Sequence, residues 1–168
     1  MNSLVIRAAL IRDVPFIVKI RLGALTKKEI CGFSAPEFAT TSSTKKMREL
    51  WSSGNKLKDG VEVFLAEYED KVVGYMMLKV KGDSGYIDDI VVAKEEQGKG
   101  IGRALVTYAE VLAKSEGCHL MRTDTTENIN GIPWKSYDFW IKMGYKDTGE
   151  RLPTLYDFKE IPFVKRLK

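Results

Sequence analysis

The sequence predicts an α/β domain built on a mixed, mostly antiparallel sheet flanked by helices. Three observations carry that expectation. Strand-length segments follow one another from Val61 to Val92 with only short turns between them. A run containing Gly98, Gly100 and Gly102 then leads into a segment with a single apolar stripe at helical spacing. Further strand-like and helical segments alternate through the rest of the chain, without the regular βαβ array of a doubly wound fold.

The elements can be justified in order. Leu4-Val5-Ile6-Arg7 reads as a first strand. Asp13 is placed to cap a helix that has Pro15 in its first turn and runs to about Leu25. Residues Lys28 to Thr44 mix Gly32, Pro36 and a Thr/Ser cluster, which reads as loop or short helical pieces. Ser43 or Thr44 caps a second helix through Leu50-Trp51. Val61–Ala66, Val72–Val80 and Tyr86–Val92 are three strands whose short connections require an antiparallel meander. Ile101, Leu105, Tyr108, Ala109 and Leu112 share one helical face, and Gly117 stops that helix. His119–Thr123 is the next strand. Pro133 or Trp134 opens a helix that Gly144 ends, and Lys146–Arg151 and Ile161–Leu167 are two last short strands.

Length and composition narrow the function. The 168 residues fit one domain, 1–168, with a real core. No apolar stretch is long enough to span a membrane. Met1-Asn2-Ser3-Leu4 opens no secretory signal, so a cytoplasmic protein without a membrane partner is expected. Cys31 and Cys118 are too few and too far apart for a disulfide framework or a zinc motif, and His119 stands alone, so no metal site is expected. The formal charge of +4 suits an anionic ligand but decides nothing alone. The basic residues are dispersed apart from runs such as Lys27-Lys28, Lys45-Lys46 and Lys165-Arg166, and no nucleic acid partner is expected. A homodimer is compatible with the sequence, which does not encode an oligomeric state.

The glycines are the most informative residues. Three in five positions, between a strand and a helix, let the backbone approach a ligand and leave N–H groups pointing outward. The positive end of the helix dipole makes phosphate the expected guest. A P-loop needs Gly-x-x-x-x-Gly-Lys-Ser/Thr, which is absent. The dinucleotide fingerprint Gly-x-Gly-x-x-Gly/Ala fails at Arg103 or Leu105, depending on the starting glycine. Asp124, at the end of the next strand, stands where a ribose-binding acid would sit, but the meander before the loop argues against a dinucleotide enzyme.

Gln97-Gly98-Lys99-Gly100-Ile101-Gly102-Arg103-Ala104-Leu105 resembles the acetyl-CoA signature Gln/Arg-x-x-Gly-x-Gly/Ala of the GNAT superfamily of N-acetyltransferases. Ile6-Arg7-Ala8 with Asp13-Val14 resembles the family's opening. Val72-Val73-Gly74 resembles its central hairpin, and Phe139-Trp140-Ile141-Lys142-Met143-Gly144-Tyr145 its Phe-Tyr-Glu-Lys-x-Gly-Phe segment. The resemblance implies acetyl-CoA as co-substrate and direct transfer of its acetyl group to a primary amine of a small molecule or protein. It implies a sheet splayed beside Ile90, Val91 and Val92, whose backbone would meet the pantetheine arm. It also implies a pyrophosphate wrapped by Gln97, Gly98, Lys99, Gly100, Ile101, Gly102 and Arg103. A backbone N–H near Val91 or Val92 would polarise the acetyl carbonyl.

A lysine-like amine, with a pKa near ~10.4, must lose a proton before it attacks, and a positioned carboxylate can take it. Asp88 and Asp89 lie in an otherwise apolar strand, where alternation points them to opposite faces unless a bulge intervenes. Tyr86-Ile87-Asp88-Asp89 resembles the Tyr-x-Glu-Asp stretch of diamine acetyltransferases. That likeness implies Asp88 as base and Asp89 as a contact for a polyamine. The family's usual acid, a tyrosine, is replaced by Trp140. Indole N–H is no acid at neutral pH, which motivates the alternative of a module that senses acyl-CoA without catalysis. Tyr137, one helical turn earlier, is the candidate acid in its place. Asn128 and Asn130, in the loop Glu127–Pro133, are both placed to bond the cofactor arm, and Asn130 is carried as the candidate. By family analogy, Ala24 to Gly54 frames the acceptor.

Overall fold

The computed structural model describes residues 3–24, 43–154 and 157–168. Cys31, Lys27-Lys28 and most of the Ala24–Gly54 segment lie outside the described residues. The strands are β1 (Val5–Ala8), β2 (Trp51–Ser53), β3 (Lys56–Leu57), β4 (Glu62–Tyr68), β5 (Lys71–Lys81), β6 (Ser84–Val92), β7 (Leu120–Asn128), β8 (Lys146–Asp147), β9 (Leu152–Pro153) and β10 (Phe158–Arg166). The helices are α1 (Val14–Ala24), α2 (Thr44–Leu50), α3 (Ile101–Ser115) and α4 (Ser136–Lys142).

The strands form one sheet in the order β2-β3-β4-β5-β6-β7-β10-β8, with β1 on β4 and β9 on β10. Every pairing is antiparallel except β6 with β7. The expected meander is β4-β5-β6. Its centre is buried on both faces, which is why it reads as nearly continuous apolar sequence. Phe64, Met76, Leu78 and Ile87 face α3 and α4, together with Leu105, Ala109 and Trp140. Val63, Leu65 and Tyr75 face α1 and α2, together with Ile17, Ile20 and Met47.

Several expected elements are corrected. Asp13 does not cap α1; its carboxylate accepts the Leu10 amide (2.8 Å) and pairs with Arg7, closing a short 3-10 turn. Ser43 does cap α2, accepting from the Lys46 amide at 3.4 Å. Trp51 leaves the helix for β2, and Gly54, at φ +55°, turns β2 into the unforeseen β3. β7 runs on to Asn128, well past Thr123, and α4 starts at Ser136. The segment 146–151 is not one strand. Asp147 accepts the Gly149 amide at 2.8 Å in a turn where Gly149 has φ +84°, so β8 and β9 are separate.

Candidate active site

The site is built where β6 and β7 part. Their parallel ladder holds only Ser84 with Leu120, Gly85 with Met121, and Tyr86 with Arg122. Beyond it two side chains replace the ladder bonds. Thr123 Oγ1 donates to the Ile87 carbonyl at 3.1 Å, and the Tyr86 hydroxyl donates to Asp124. From there to Val92 the edge of β6 that faces β7 has no strand beside it among the described residues. The Ala93 amide turns the other way and bonds Val73 on β5 at 2.8 Å. Strand alternation therefore turns the amide groups of Val92 and Ile90 into the gap. Val91 lies between them, packed toward α1.

The splay continues into the glycine loop. The Gln97 side chain donates to the Val92 carbonyl at 3.1 Å and ties the loop to the strand. Gly98 and Gly100 have φ of +81° and +84°, a region costly for residues with a Cβ, and open space surrounds both. Gly102 serves packing instead: a Cβ there would lie 3.4 Å from the Phe139 ring. Gly100 precedes α3 and offers no side-chain cap, and the first helical bond runs from Ala104 N to Gly100 O at 3.0 Å. The amides of Ile101, Gly102 and Arg103 thus have no acceptor within the helix and converge on a point that favours an anion. Lys99 is exposed and pairs with Glu96 at 2.8 Å; Arg103 is exposed.

Asp88 and Asp89 do not alternate. Met77 pairs with Asp89 and Leu78 with Ile87, so Asp88 is the extra residue of a β-bulge. Ile87 packs toward α3 and Asp89 pairs with Arg21 of α1, which places both aspartates on the α1 face. Asp89 is committed there: it pairs with the buried Arg21 and accepts the Tyr75 hydroxyl at 2.8 Å. Asp88 is exposed and makes no such bond among the described residues. Partial desolvation of its carboxyl, with like charge from Asp89 and Asp59, raises its pKa above the ordinary carboxylate value. Asp124 is raised further, to about 7, by burial first and by Glu160 second.

The other sequence candidates are engaged in contacts of their own. The Tyr137 hydroxyl donates to Asp147 at 3.0 Å, beside Arg151, and its ring stacks edge-on against Phe163. That bond and partial desolvation raise its pKa, making it a weaker acid. Trp140 is a core residue between Phe139 and Tyr145. Asn128 organises its own loop, its side chain accepting the Asn130 and Ile132 amides at 2.9 and 3.0 Å; Asn130 is exposed. Two residues escaped the sequence reading. Arg21 was visible only as a lone charge on the apolar face of α1. Tyr86 stands out in the sequence only as part of the short motif Tyr86-Ile87-Asp88-Asp89.

A sheet parted beside a bulged strand, leading into a glycine loop and a helix with free N-terminal amides, describes a fold that holds an extended, phosphate-bearing ligand. The sequence profile of the Acetyltransferase (GNAT) family matches residues 28–139, and the chain belongs to that family. It is 41% identical over 69 residues to the glucosamine 6-phosphate N-acetyltransferase of Candida albicans, covering 40% of this chain and 41% of that protein. It is 31% identical over 81 residues to the peptidyl-lysine N-acetyltransferase YjaB of Salmonella typhimurium, covering 48% and 47%. The matches thus span less than half the length of these curated relatives. The fold resembles that of the PaiA N-acetyltransferase of Thermoplasma acidophilum in complex with coenzyme A (TM-score 0.73, 16% identity, 98% and 99% of the two chains). It also resembles the ribosomal-protein-alanine N-acetyltransferase of Brucella melitensis (TM-score 0.73, 21% identity, 97% and 99%). Among the described residues no helix is long and apolar enough to cross a membrane.

Proposed function

We propose that the chain transfers an acetyl group from acetyl-CoA to the primary amine of a small molecule or protein, without a covalent enzyme intermediate. The observation that carries this reading is the continuity of the parted β6 edge with the free amides of α3. The amides from Gly98 to Arg103 hold the pyrophosphate, and the outward groups of Ile90 and Val92 hold the pantetheine arm. Acetyl-CoA, when bound, supplies an acetyl group on a thioester carbonyl. An outward N–H of Val92 or Ile90 polarises that carbonyl as negative charge develops on its oxygen.

Asp88 is the proton acceptor of this reading. It is open to an incoming amine, its raised pKa makes it a stronger base than an ordinary carboxylate, and Asp89 is held by Arg21. Ion-paired Asp89 instead fixes the bulge that presents Asp88. Tyr137 would have to leave Asp147 to protonate the departing thiolate, so solvent is the better source of that proton. Asn130 remains assigned to the cofactor arm only through its loop. Trp140 gives the non-catalytic alternative no support, because it serves the core.

The test has two parts. Saturating acetyl-CoA or CoA should raise the melting temperature, and NAD should not. Release of free CoA thiol should then be followed against spermidine, glucosamine 6-phosphate and a lysine-containing peptide. Absence of a thermal shift would remove the cofactor assignment, and a shift without turnover on any amine would favour ligand sensing.

A further inference from the structure

We propose that Asp124, held by the Tyr86 hydroxyl, is the second carboxylate of the acceptor site and seats the acceptor's ammonium group across the parted strands from Asp88. This rests on the acetyl-transfer reading above and adds a specificity-determining residue to it.

The placement comes from register. The last β6–β7 pair is Tyr86 with Arg122, and two residues further along each strand stand Asp88 and Asp124. Continued past its last pair, the ladder's register sets them opposite one another across the opening. They also share a face. On β7, Met121 packs toward α3, Thr123 is buried against Ile87, and the Thr125 hydroxyl lies 2.6 Å from that of Ser136 on α4. Alternation puts Arg122, Asp124 and Thr126 on the opposite, α1 face. On β6, Gly85 and Ile87 face α3, so alternation puts Tyr86 and Asp88 on the α1 face, and the bulge keeps Asp89 there as well.

The chemistry comes from what surrounds Asp124. Its neighbours are a hydroxyl from Tyr86 on β6 and a like charge from Glu160 on β10. Among the described residues no lysine or arginine pairs with it. A desolvated carboxyl with a hydroxyl donor and no cation is completed by a cation, and the acceptor arrives as one. One ammonium carries three N–H donors. Donation to Asp124 leaves others directed at Asp88, the more exposed carboxylate. Asp124 therefore binds and orients, and Asp88 takes the proton.

Two measurements decide it. Carboxyl carbon NMR of the full chain with CoA bound should show the Asp124 titration midpoint falling by about one pH unit or more at saturating n-butylammonium. The uncharged 1-pentanol should leave it in place. An unmoved midpoint, or equal movement with both probes, overturns the proposal. In the second measurement Asp124→Asn should raise the acceptor KM on the order of tenfold or more, with kcat and the acetyl-CoA KM nearly unchanged. Tyr86→Phe should move the acceptor KM in the same direction by less. A fall in kcat at constant KM would make Asp124 a proton carrier, and lower thermal stability with unchanged KM would make it structural; either result overturns the proposal. If the wild-type chain turns over none of the amines, the acetyl-transfer reading fails, and the NMR titration still decides whether this site takes a cation.

Discussion

Arg21 of α1 and Asp89 of β6, separated by 68 residues in sequence, form an ion pair on the face of the sheet that carries the bulge. Arg21 is almost wholly buried and Asp89 is partly exposed, and the Tyr75 hydroxyl bonds the same carboxylate. The pair divides two adjacent aspartates into an anchored one and an available one.

That division predicts opposite phenotypes at neighbouring positions. Asp89→Asn leaves a buried guanidinium without its counter-charge. Breaking a fully buried pair costs about 3–5 kcal/mol, and the partial exposure of Asp89 places this loss toward the lower end. Urea denaturation should show it. The double variant Arg21→Met/Asp89→Leu should recover much of the loss, because apolar replacement of both partners removes the stranded charge. No recovery would mean that the pair does more than balance charge.

Asp88→Asn should fold normally and lose roughly 10²–10⁴-fold in kcat/KM at neutral pH. The loss should shrink as pH rises toward the amine's own pKa, where the acceptor needs no base. A pH-independent loss, or an unchanged rate, would exclude Asp88 as the proton acceptor.

Gly100→Val should raise the acetyl-CoA KM strongly. The cause is conformational: at φ +84° a β-branched residue is strained, although the space around it is open. The loop must shift, and the amides behind it lose their convergence. Gly102→Val should act differently, by pressing on Phe139, and so should lower stability more than it changes cofactor affinity. Circular dichroism melts beside KM measurements separate the two.

Stability should depend on pH with opposite signs at two aspartates. Burial raises the folded pKa of Asp124 to about 7, so between the unfolded value of 3.8 and about 7 the folded state holds the extra proton. Stability from this residue is therefore lost as pH rises through that window. Asp124→Asn should raise the melting temperature at pH 8 and leave it nearly unchanged at pH 4. The Asp13 pKa is lowered, chiefly by the Arg7 hydrogen bonds at 2.8 and 3.1 Å. Its contribution is present above pH 3.8 and lost as pH falls through its folded value. Asp13→Asn should flatten the acid limb of the stability profile.

Much of the fold was legible because its signals are local. The apolar runs of β4, β5 and β6 and the stripe from Ile101 to Leu112 announce their own periods, and Gly117 and Gly144 stop helices with φ of +86° and +84°. The short strands β2, β3 and β9 were not legible, and β8 only as the start of a longer strand, since two or three residues carry no period. Asp13 misled because its carboxylate bonds backward to Leu10 and to Arg7, a partner that capping rules do not consider.

By itself, the sequence determined the order of the main elements, the glycine loop at a strand-to-helix junction and the family resemblance. These are properties of contiguous residues, fixed by backbone sterics and side-chain periodicity. Only the tertiary structure decided what surrounds each acid. The bulge at Asp88 arises because Met77 pairs with Asp89 while Leu78 pairs with Ile87, the anchoring of Asp89 comes from Arg21 on a distant helix, and the bond from Tyr86 to Asp124 forms where β6 and β7 part. A carboxylate's proton affinity is set by the charges and water within a few ångströms of it, and those neighbours come from parts of the chain that only folding brings together.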